Sequence, residues 1–229
     1  MEFCGWEKLS LVDYDDNLTT TLFMAGCPFR CPFCHNGDLV LRPNLAEPVP
    51  FNEILEYLVK RKGMLDAVCI TGGEPTLMND LADKMKAIKD LGYLIKLDTN
   101  GYNPDIVIDL INKKLVDYIA MDIKNSKQKY PATIGTQIDM SRIEKMVDYL
   151  QSTGFPHEFR TTLVKEFHEA EDIREMGMWI GKCDRFFLQH FIDNPHCIVK
   201  GLREVSIEDA TLFQQILSAF QINAVLRGY

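Results

Sequence analysis

The sequence predicts a single α/β domain built around a parallel β-sheet, either an open barrel or a doubly wound sheet. Short apolar, β-rich segments alternate with segments of helical periodicity about six times along the chain. Parallel strands require such an alternation, because the crossover between them is usually a helix that covers the sheet. No internal repeat, low-complexity stretch or flexible linker divides residues 1–229. We therefore expect one domain, with 1–18 as an N-terminal extension packing on a core of 19–229.

Six strands are predicted from runs of apolar and β-branched residues. They lie at 19–25, 67–71, 94–98, 118–121, 158–164 and 185–190. A further short strand is expected after the last helix, near the end of the chain. Arg160 lies within the fifth predicted strand, at an otherwise buried position. It therefore needs a carboxylate partner, from the protein or from a ligand.

Helices are predicted where apolar residues recur every three or four positions. Apolar stripes beginning at Ile54, Leu81 and Ile173 predict three of them. Three others are predicted from start signals, which are Asn103 before Pro104, a capping box of Ser141 with Glu144, and Ser206 with Asp209. Residues 42–50 hold three prolines and are predicted to be a stiff loop.

The composition excludes several classes of protein. Hydrophobic residues make up 46% of the chain and charged residues 25%, which are ordinary values for a globular domain. The net charge of −8 opposes general binding of nucleic acid, which requires a cationic surface. No apolar run approaches the ~20 residues that span a bilayer, and the first residues lack the layout of a signal peptide. We expect a cytoplasmic protein without nucleic-acid or membrane partners, in which seven cysteines would not form a disulfide framework.

Three of the cysteines lie in one loop after the first predicted strand. Cys27, Cys31 and Cys34 are spaced four and three residues apart, and two prolines stiffen the loop so that the thiols can converge. Zinc is one candidate occupant, with His35 as a fourth ligand, although structural zinc sites usually pair two separated ligand clusters. An iron–sulfur cluster is the other, and it normally takes four cysteines. Three cysteines on a four-iron cluster would leave one iron open to chelate an amine and a carboxylate.

The CX3CX2C spacing resembles that of the radical S-adenosylmethionine (SAM) enzymes. In that family the open iron binds the amino and carboxylate groups of SAM, and an electron from the reduced cluster cleaves SAM to methionine and a 5′-deoxyadenosyl radical. The resemblance implies a partial (β/α)6 barrel, SAM as cofactor, and a [4Fe–4S] cluster on Cys27, Cys31 and Cys34. It also implies that Phe33 lies near the adenine, the alternative being ordinary packing of the loop.

Further motifs stand at the ends of predicted strands. The sequence TGGEP at 71–75 resembles the GGEP motif of the family, in which adjacent glycines let the backbone approach the SAM ammonium. The sequences DTNG at 98–101 and DIK at 122–124 would each, alone, indicate a cap or a turn. Together with CHN at 34–36 they resemble a narrower group, the activating enzymes of glycyl radical enzymes. By that resemblance SAM is contacted by Gly72, Gly73, Glu74, Asp98, Asn100 and Lys124.

Other predictions concern the same edge of the sheet, where the carboxyl ends of parallel strands meet. Asp98 and Asp122 are implied to hold a monovalent cation against the SAM carboxylate. His190, at the end of the sixth predicted strand, is implied to meet the ribose of SAM or else to be a satisfied core histidine. The remaining cysteines are predicted to be packing residues, namely Cys4, Cys69, Cys183 and Cys197.

The reaction of the 5′-deoxyadenosyl radical depends on the protein or molecule from which it takes a hydrogen atom. The compact chain, CPFRCPFCHN at 27–36 and VLRG at 225–228 are most similar to proteins that activate anaerobic ribonucleoside-triphosphate reductase. That similarity implies hydrogen abstraction from a backbone glycine of the reductase, with a flavodoxin or ferredoxin as electron donor. Another glycyl radical enzyme, or a small molecule such as a deazapurine precursor, stays open as the target. A non-catalytic zinc module is a third hypothesis.

Overall fold

The computed structural model describes residues 2–45 and 47–229. Contacts within the chain divide these residues into two compact units, and each is described by itself. The first unit contains the residues up to Cys27 together with Asp38–Ala120. The second contains Pro28–Gly37 and Met121–Tyr229. The predicted extent of a single domain over 1–229 stays a prediction.

The described chain contains eight strands, and the six predicted from the sequence begin and end within two residues of their predicted bounds. They are β1 (Phe3–Ser10), β2 (Thr19–Met24), β3 (Ala67–Gly72), β4 (Leu94–Thr99), β5 (Tyr118–Asp122), β6 (His157–Leu163), β7 (Cys183–His190) and β8 (Ile222–Arg227). Their order in the sheet follows the chain. The short strand expected near the end of the chain is β8. The predicted α/β class with a parallel sheet is confirmed.

The sequence pattern does not predict β1, which lies within the expected N-terminal extension. This strand pairs antiparallel with β2, and the Trp6 indole donates a hydrogen bond of 2.8 Å to the Thr20 hydroxyl. Gly5 and two charged residues interrupt the strand, so it lacks the clean alternation that marks a half-buried strand in a sequence. Its position is decided by pairing with β2.

In the first unit, β2, β3 and β4 run parallel. Met24 lies beside Gly72, and Ile70 lies beside Leu97. The first four residues of β3 have no exposed surface, as expected for a parallel strand covered on both faces. The register brings the carboxyl ends of these three strands, where the predicted motifs begin, to one edge of the sheet.

In the second unit, β6, β7 and β8 also run parallel. Leu163 lies beside His190, and Gln189 lies beside Arg227. Asp122 is the last residue of β5 and His190 the last of β7, so both predicted site residues stand at carboxyl ends.

Eight α-helices accompany the strands in the described residues. They are α1 (Gly37–Leu41), α2 (Phe51–Lys60), α3 (Leu81–Asp90), α4 (Pro104–Asn112), α5 (Tyr130–Ile134), α6 (Met140–Thr153), α7 (Ala170–Ile180) and α8 (Ile207–Ser218). The predicted starts of α4 and α8 are confirmed. Of these helices, α1 and α5 are not predicted, because five residues are too few to show a helical period. Within the predicted loop at 42–50, Pro43–Leu45 forms a 3-10 turn, and position 46 lies outside the described residues.

The predicted capping box of Ser141 with Glu144 is wrong. The N-cap of α6 is Asp139, two residues earlier, whose carboxylate accepts a hydrogen bond of 3.1 Å from the Ser141 backbone N–H. An aspartate caps a helix start as well as a serine does, so the sequence offers two starts here. The Asp139 carboxylate also accepts from the Ser141 hydroxyl, and this second bond occupies the predicted cap.

Of the helices in the described ranges, none combines the length and the apolarity needed to cross a membrane.

The start of α8 provides a test of the helix assignment. The Ser206 hydroxyl accepts a hydrogen bond of 3.1 Å from the Asp209 backbone N–H. Ser206→Ala removes that cap and is expected to lower the free energy of unfolding by about 1 kcal/mol, measured by chemical denaturation. Ser218→Ala, an equally exposed serine at the other end of α8, serves as the matched control and should change the stability much less. Equal effects of the two substitutions would contradict the assigned cap.

Candidate active site

The cysteine loop follows β2, and the boundary between the two units falls inside it, after Cys27. In the second unit, backbone hydrogen bonds hold the loop at three points. Arg30 N–H donates to the Ile134 carbonyl at 2.8 Å, and Gly37 N–H donates to the His196 carbonyl at 3.1 Å. The Pro32 carbonyl accepts from Val199 N–H at 2.8 Å. The loop containing Cys31 and Cys34 is therefore positioned by α5 and by the segment after β7.

In the first unit, the two glycines at 72–73 bring the end of β3 against the start of the cysteine loop. Gly73 N–H donates to the Met24 carbonyl at 2.7 Å, and Glu74 N–H donates to the Gly26 carbonyl at 2.8 Å. Gly72 has a φ of +116°, and a Cβ added to Gly73 would overlap the Gly26 carbonyl oxygen. Both positions therefore exclude a side chain. The close approach they permit is to the protein backbone, and their contact with SAM stays a prediction.

Glu74 is fully buried and joins the ends of β3 and β4. Its Oε1 accepts hydrogen bonds from the backbone and hydroxyl of Thr76 and from the Thr99 hydroxyl at 2.8 Å. Its Oε2 accepts from Asn100 N–H at 2.8 Å. Burial raises the pKa of Glu74, and these four donors oppose that rise in part. The side chain thus acts on the site by holding Thr99 and Asn100.

Asn100 connects this network to a cysteine of the loop. Its side-chain amide donates to the Cys27 sulfur at 3.7 Å. Hydrogen bonds to thiolate sulfurs are among the factors that set the potential of an iron–sulfur cluster. The structure therefore brings together Cys27, Gly73, Glu74 and Asn100, four of the residues that the sequence motifs single out.

Asp98, beside this network, has a partner that the motifs do not reveal. Its Oδ1 lies 2.9 Å from the Lys96 ammonium, and its Oδ2 accepts from the Thr71 hydroxyl at 3.3 Å. Lys96 is only 3% exposed. The signal for it is a lysine between Ile95 and Leu97 in a predicted buried strand, the same kind of signal that marks Arg160.

In the second unit, Asp122 lies between two cations. Its Oδ2 is 2.8 Å from the Lys124 ammonium, and its Oδ1 is 2.9 Å from Nε of Arg160. The predicted carboxylate partner of Arg160 is confirmed and belongs to the protein. Burial alone would raise the pKa of Asp122, but Arg160 and Lys124 outweigh it and hold that pKa at about 2. Burial would also lower the pKa of Lys124, and the Asp122 carboxylate reverses this and raises it.

Lys124 also lies close enough to Cys31 and Cys34 to affect both thiols. Burial raises the pKa of Cys31 to about 11 and raises that of Cys34, while Lys124 lowers each in part. These thiols are therefore protonated at neutral pH until a metal displaces the proton. The positive charge of Lys124 then favours the thiolates that a metal site requires.

His168 is a fully buried residue to which no motif points. Val164 N–H donates to its Nδ1 at 3.0 Å, so Nε2 carries the proton and donates to the Lys124 carbonyl at 2.9 Å. Burial lowers the pKa of His168, which keeps the ring neutral. His168 thus fixes the backbone of Lys124 without adding charge.

The two other predicted SAM contacts, Phe33 and His190, already have protein neighbours. The Phe33 ring is buried and packs against the rings of Phe167, His168 and Phe191 at 5.7–6.5 Å. The His190 Nε2 lies 2.7 Å from a Glu204 carboxylate oxygen, and its ring packs against Tyr229. Contacts of Phe33 with adenine and of His190 with ribose stay predictions. Of the four cysteines expected to pack, Cys69, Cys183 and Cys197 are buried, and Cys4 is half-buried.

The donor set fits an iron–sulfur cluster. All seven cysteines are thiols, and three of them lie within one short loop whose backbone is fixed as described above. The described residues contain no group of three or more His, Cys, Asp or Glu side chains that could hold a single metal ion. In a cluster each cysteine binds a different iron atom, so the three sulfurs need not converge as closely as the ligands of one ion.

Comparison with known proteins identifies the family. The sequence pattern of the radical SAM superfamily matches residues 21–177. This chain belongs to that superfamily. A protein of Methanocaldococcus jannaschii, provisionally named as a glycyl-radical enzyme activating enzyme, is 33% identical over 194 residues, which are 82% of this chain and 78% of that protein. A pyruvate formate-lyase-activating enzyme of Clostridium pasteurianum is 32% identical over 126 residues, 52% of this chain and 50% of that enzyme.

Two solved structures share the fold of this chain. SuiB of Streptococcus suis bound to S-adenosylmethionine matches 91% of this chain and 52% of its own chain, with a TM-score of 0.69 and 18% identity. A domain of a pyruvate-formate lyase-activating enzyme from Bacteroides vulgatus matches 71% of this chain and 99% of the domain, with a TM-score of 0.59 and 19% identity. This chain spans about half the length of SuiB. The predicted fold class, a partial barrel of the radical SAM type, is confirmed.

Membership in the superfamily has direct chemical consequences. The chain is an enzyme of the glycyl-radical activating group, and its cofactors are a [4Fe–4S] cluster and SAM. Among the predicted site residues, Cys27, Cys31 and Cys34 are the thiols of the characteristic loop. Their individual roles, and those of the SAM contacts, stay predictions.

The buried carboxyl of Glu74 provides a pH-dependent test. Because its pKa is raised in the folded protein, folding becomes less favourable as the pH rises above the ordinary value near 4.5 and through the folded-state pKa. Glu74→Gln cannot ionise, so the stability of the wild type relative to this variant should fall over that range. The measurement is chemical denaturation of both proteins across the range. Glu56→Gln, at an exposed position, is the control and should show no such trend. If the wild type instead became more stable relative to Glu74→Gln as the pH rises, the raised pKa of Glu74 would be contradicted.

Proposed function

We propose that this enzyme activates anaerobic ribonucleoside-triphosphate reductase by generating a glycyl radical on it. The observation that carries the proposal is the placement of the activase motifs beside the cysteines. Asn100 of DTNG donates to Cys27, and Lys124 of the DIK sequence lies near Cys31 and Cys34. The reductase is proposed as the target from the loop CPFRCPFCHN.

In the proposed site each group of residues has a separate task. Cys27, Cys31 and Cys34 bind the cluster. Asp98, Asn100 and Lys124 contact the methionine and ribose parts of SAM. These residues contribute to the reaction by positioning SAM and not by acid or base catalysis, because hydrogen abstraction from a glycine needs no proton transfer by the protein.

The remaining contacts complete the proposed SAM site. Gly72 and Gly73 offer backbone carbonyls to the ammonium, Phe33 lies near the adenine, and His190 meets the ribose. Glu74, which the motif includes, orients Asn100. When bound, the reduced cluster supplies the electron that cleaves SAM to methionine and the 5′-deoxyadenosyl radical, which takes the hydrogen from the partner's glycine. A flavodoxin or ferredoxin is the proposed electron donor.

The partner assay tests the target. The protein, reconstituted anaerobically with iron and sulfide, is mixed with SAM, a reductant and the reductase. A glycyl radical doublet is expected by electron paramagnetic resonance, with formation of 5′-deoxyadenosine in equal amount. A mixture without SAM, and one containing a pyruvate formate-lyase in place of the reductase, are the controls. SAM cleavage with no doublet on the reductase would refute this target and leave the radical chemistry intact, and a doublet on the lyase alone would move the target to another glycyl radical enzyme.

One comparison favours a second candidate. The 7-carboxy-7-deazaguanine synthase of Hyperthermus butylicus is 28% identical over 160 residues, 69% of this chain and 61% of that enzyme. A small molecule of the deazapurine-precursor class would then be the substrate. Stimulation of 5′-deoxyadenosine formation by such a molecule, without any partner protein, would favour this candidate over the reductase.

The cysteine assignment has its own test. Cys27→Ala, Cys31→Ala and Cys34→Ala are each expected to abolish cluster binding, because three cysteines are the minimum that holds a four-iron cluster with one open iron. Iron and sulfide analysis and the broad visible absorption of the cluster measure the loss. Cys69→Ala, which removes a buried thiol of β3 outside the loop, should retain the cluster. Stoichiometric zinc without sulfide in the wild type would overturn the assignment in favour of the zinc module.

A further inference from the structure

Lys96 is a buried cation of the first unit. It lies in β4 beside Cys69 of β3, which in turn lies beside Thr21 of β2. Its side chain is 3% exposed. A lysine ammonium removed from water is strongly destabilised unless it is paired and hydrogen-bonded. The groups that pair with the Lys96 ammonium therefore show its role in the structure.

The partners of Lys96 fix the orientation of Asp98. The ammonium lies 2.9 Å from Asp98 Oδ1 and donates a hydrogen bond of 2.6 Å to the Asp13 carbonyl. The Asp13 carboxylate is held in turn by the Thr21 hydroxyl. On the other side, Thr71 donates to Asp98 Oδ2 at 3.3 Å. The carboxylate of Asp98 therefore lies between the Lys96 ammonium, which is hydrogen-bonded to the N-terminal segment, and the Thr71 hydroxyl at the end of β3.

These contacts do not fit the expected monovalent cation. Such an ion would need the carboxylate oxygens of Asp98 and Asp122 as ligands. In the first unit, Asp98 Oδ1 already faces the ammonium of Lys96. In the second unit, Asp122 faces both Lys124 and Arg160. Each carboxylate is therefore neutralised by a cation of the protein.

We infer that Lys96 is a positioning residue whose ammonium holds Asp98 in place for SAM and supplies the positive charge expected of a bound monovalent cation. SAM binding therefore requires neither Na+ nor K+. The inference rests on the proposed contact of Asp98 with SAM and is independent of the partner that receives the radical.

The first experiment uses the wild-type protein with its cluster reconstituted. SAM affinity is measured by equilibrium dialysis in buffers of equal ionic strength that contain Na+, K+ or only tetramethylammonium, which is too large to reach the largely buried carboxylate of Asp98. The three dissociation constants are expected to agree within about twofold. Loss of SAM binding in tetramethylammonium alone would overturn the inference. No reductase is present, so an incorrect target does not affect the result.

The second experiment replaces the ammonium. Lys96→Met keeps the length of the side chain and is expected to weaken SAM binding by about tenfold or more in tetramethylammonium, because Asp98 loses its partner. Na+ or K+, now able to lie beside Asp98, should restore part of that affinity. They should also raise the melting temperature of the cluster-free variant and leave that of the wild type unchanged. A merely structural role would produce no such rescue by small cations.

Lys84→Met is the matched control, since Lys84 is another nearly buried lysine of the first unit, paired with Asp80 and part of none of the motifs. This variant should bind SAM as the wild type does, in every buffer. Unchanged SAM affinity in Lys96→Met, or weakened affinity with no response to Na+ or K+, would refute the inference. If Lys96→Met does not fold, the wild-type cation series still decides it.

Discussion

The buried carboxylate of Glu74 is the constraint on which the first unit of this enzyme depends. It has no contact with water and accepts four hydrogen bonds from Thr76, Thr99 and Asn100. Loss of any donor would leave a buried charge partly uncompensated, which is costly, so the ends of β3 and β4 stay together. Asn100 then donates to Cys27, and the position of that thiol follows from a carboxylate just after the end of β3.

The same physical rule governs the second unit. Asp122 is half-buried beside two cations, and their charges hold its pKa at about 2. Lys124 is oriented at its ammonium by Asp122 and at its carbonyl by the neutral ring of His168. The cation near Cys31 and Cys34 is therefore held from both ends, and such preorganisation lets a site stabilise thiolates without rearranging on cofactor binding.

The strand ends and their motifs could be predicted from the sequence because they follow from local apolar patterns. That Arg160 needs a carboxylate partner could be predicted from the cost of burying an unpaired charge, but its identity as Asp122, 38 residues away in the chain, could not. Strand β1 and the start of α6 could not be predicted in this way. β1 exists because β2 offers it a pairing edge, and Asp139 and Ser141, two residues apart, could equally well cap α6.

The sequence by itself determined the superfamily, the cofactors and the order of strands and motifs, because cysteine spacing and apolar periodicity are properties of neighbouring residues. Only the tertiary structure decided what each polar side chain of the motifs contacts. Lys96 and Asp98 are near neighbours in the chain, yet the Asp13 carbonyl and the Thr71 hydroxyl that complete their cluster come from distant segments. The interactions of a buried charged side chain depend on every group that the fold places around it. Those groups come from segments that are far apart in the sequence.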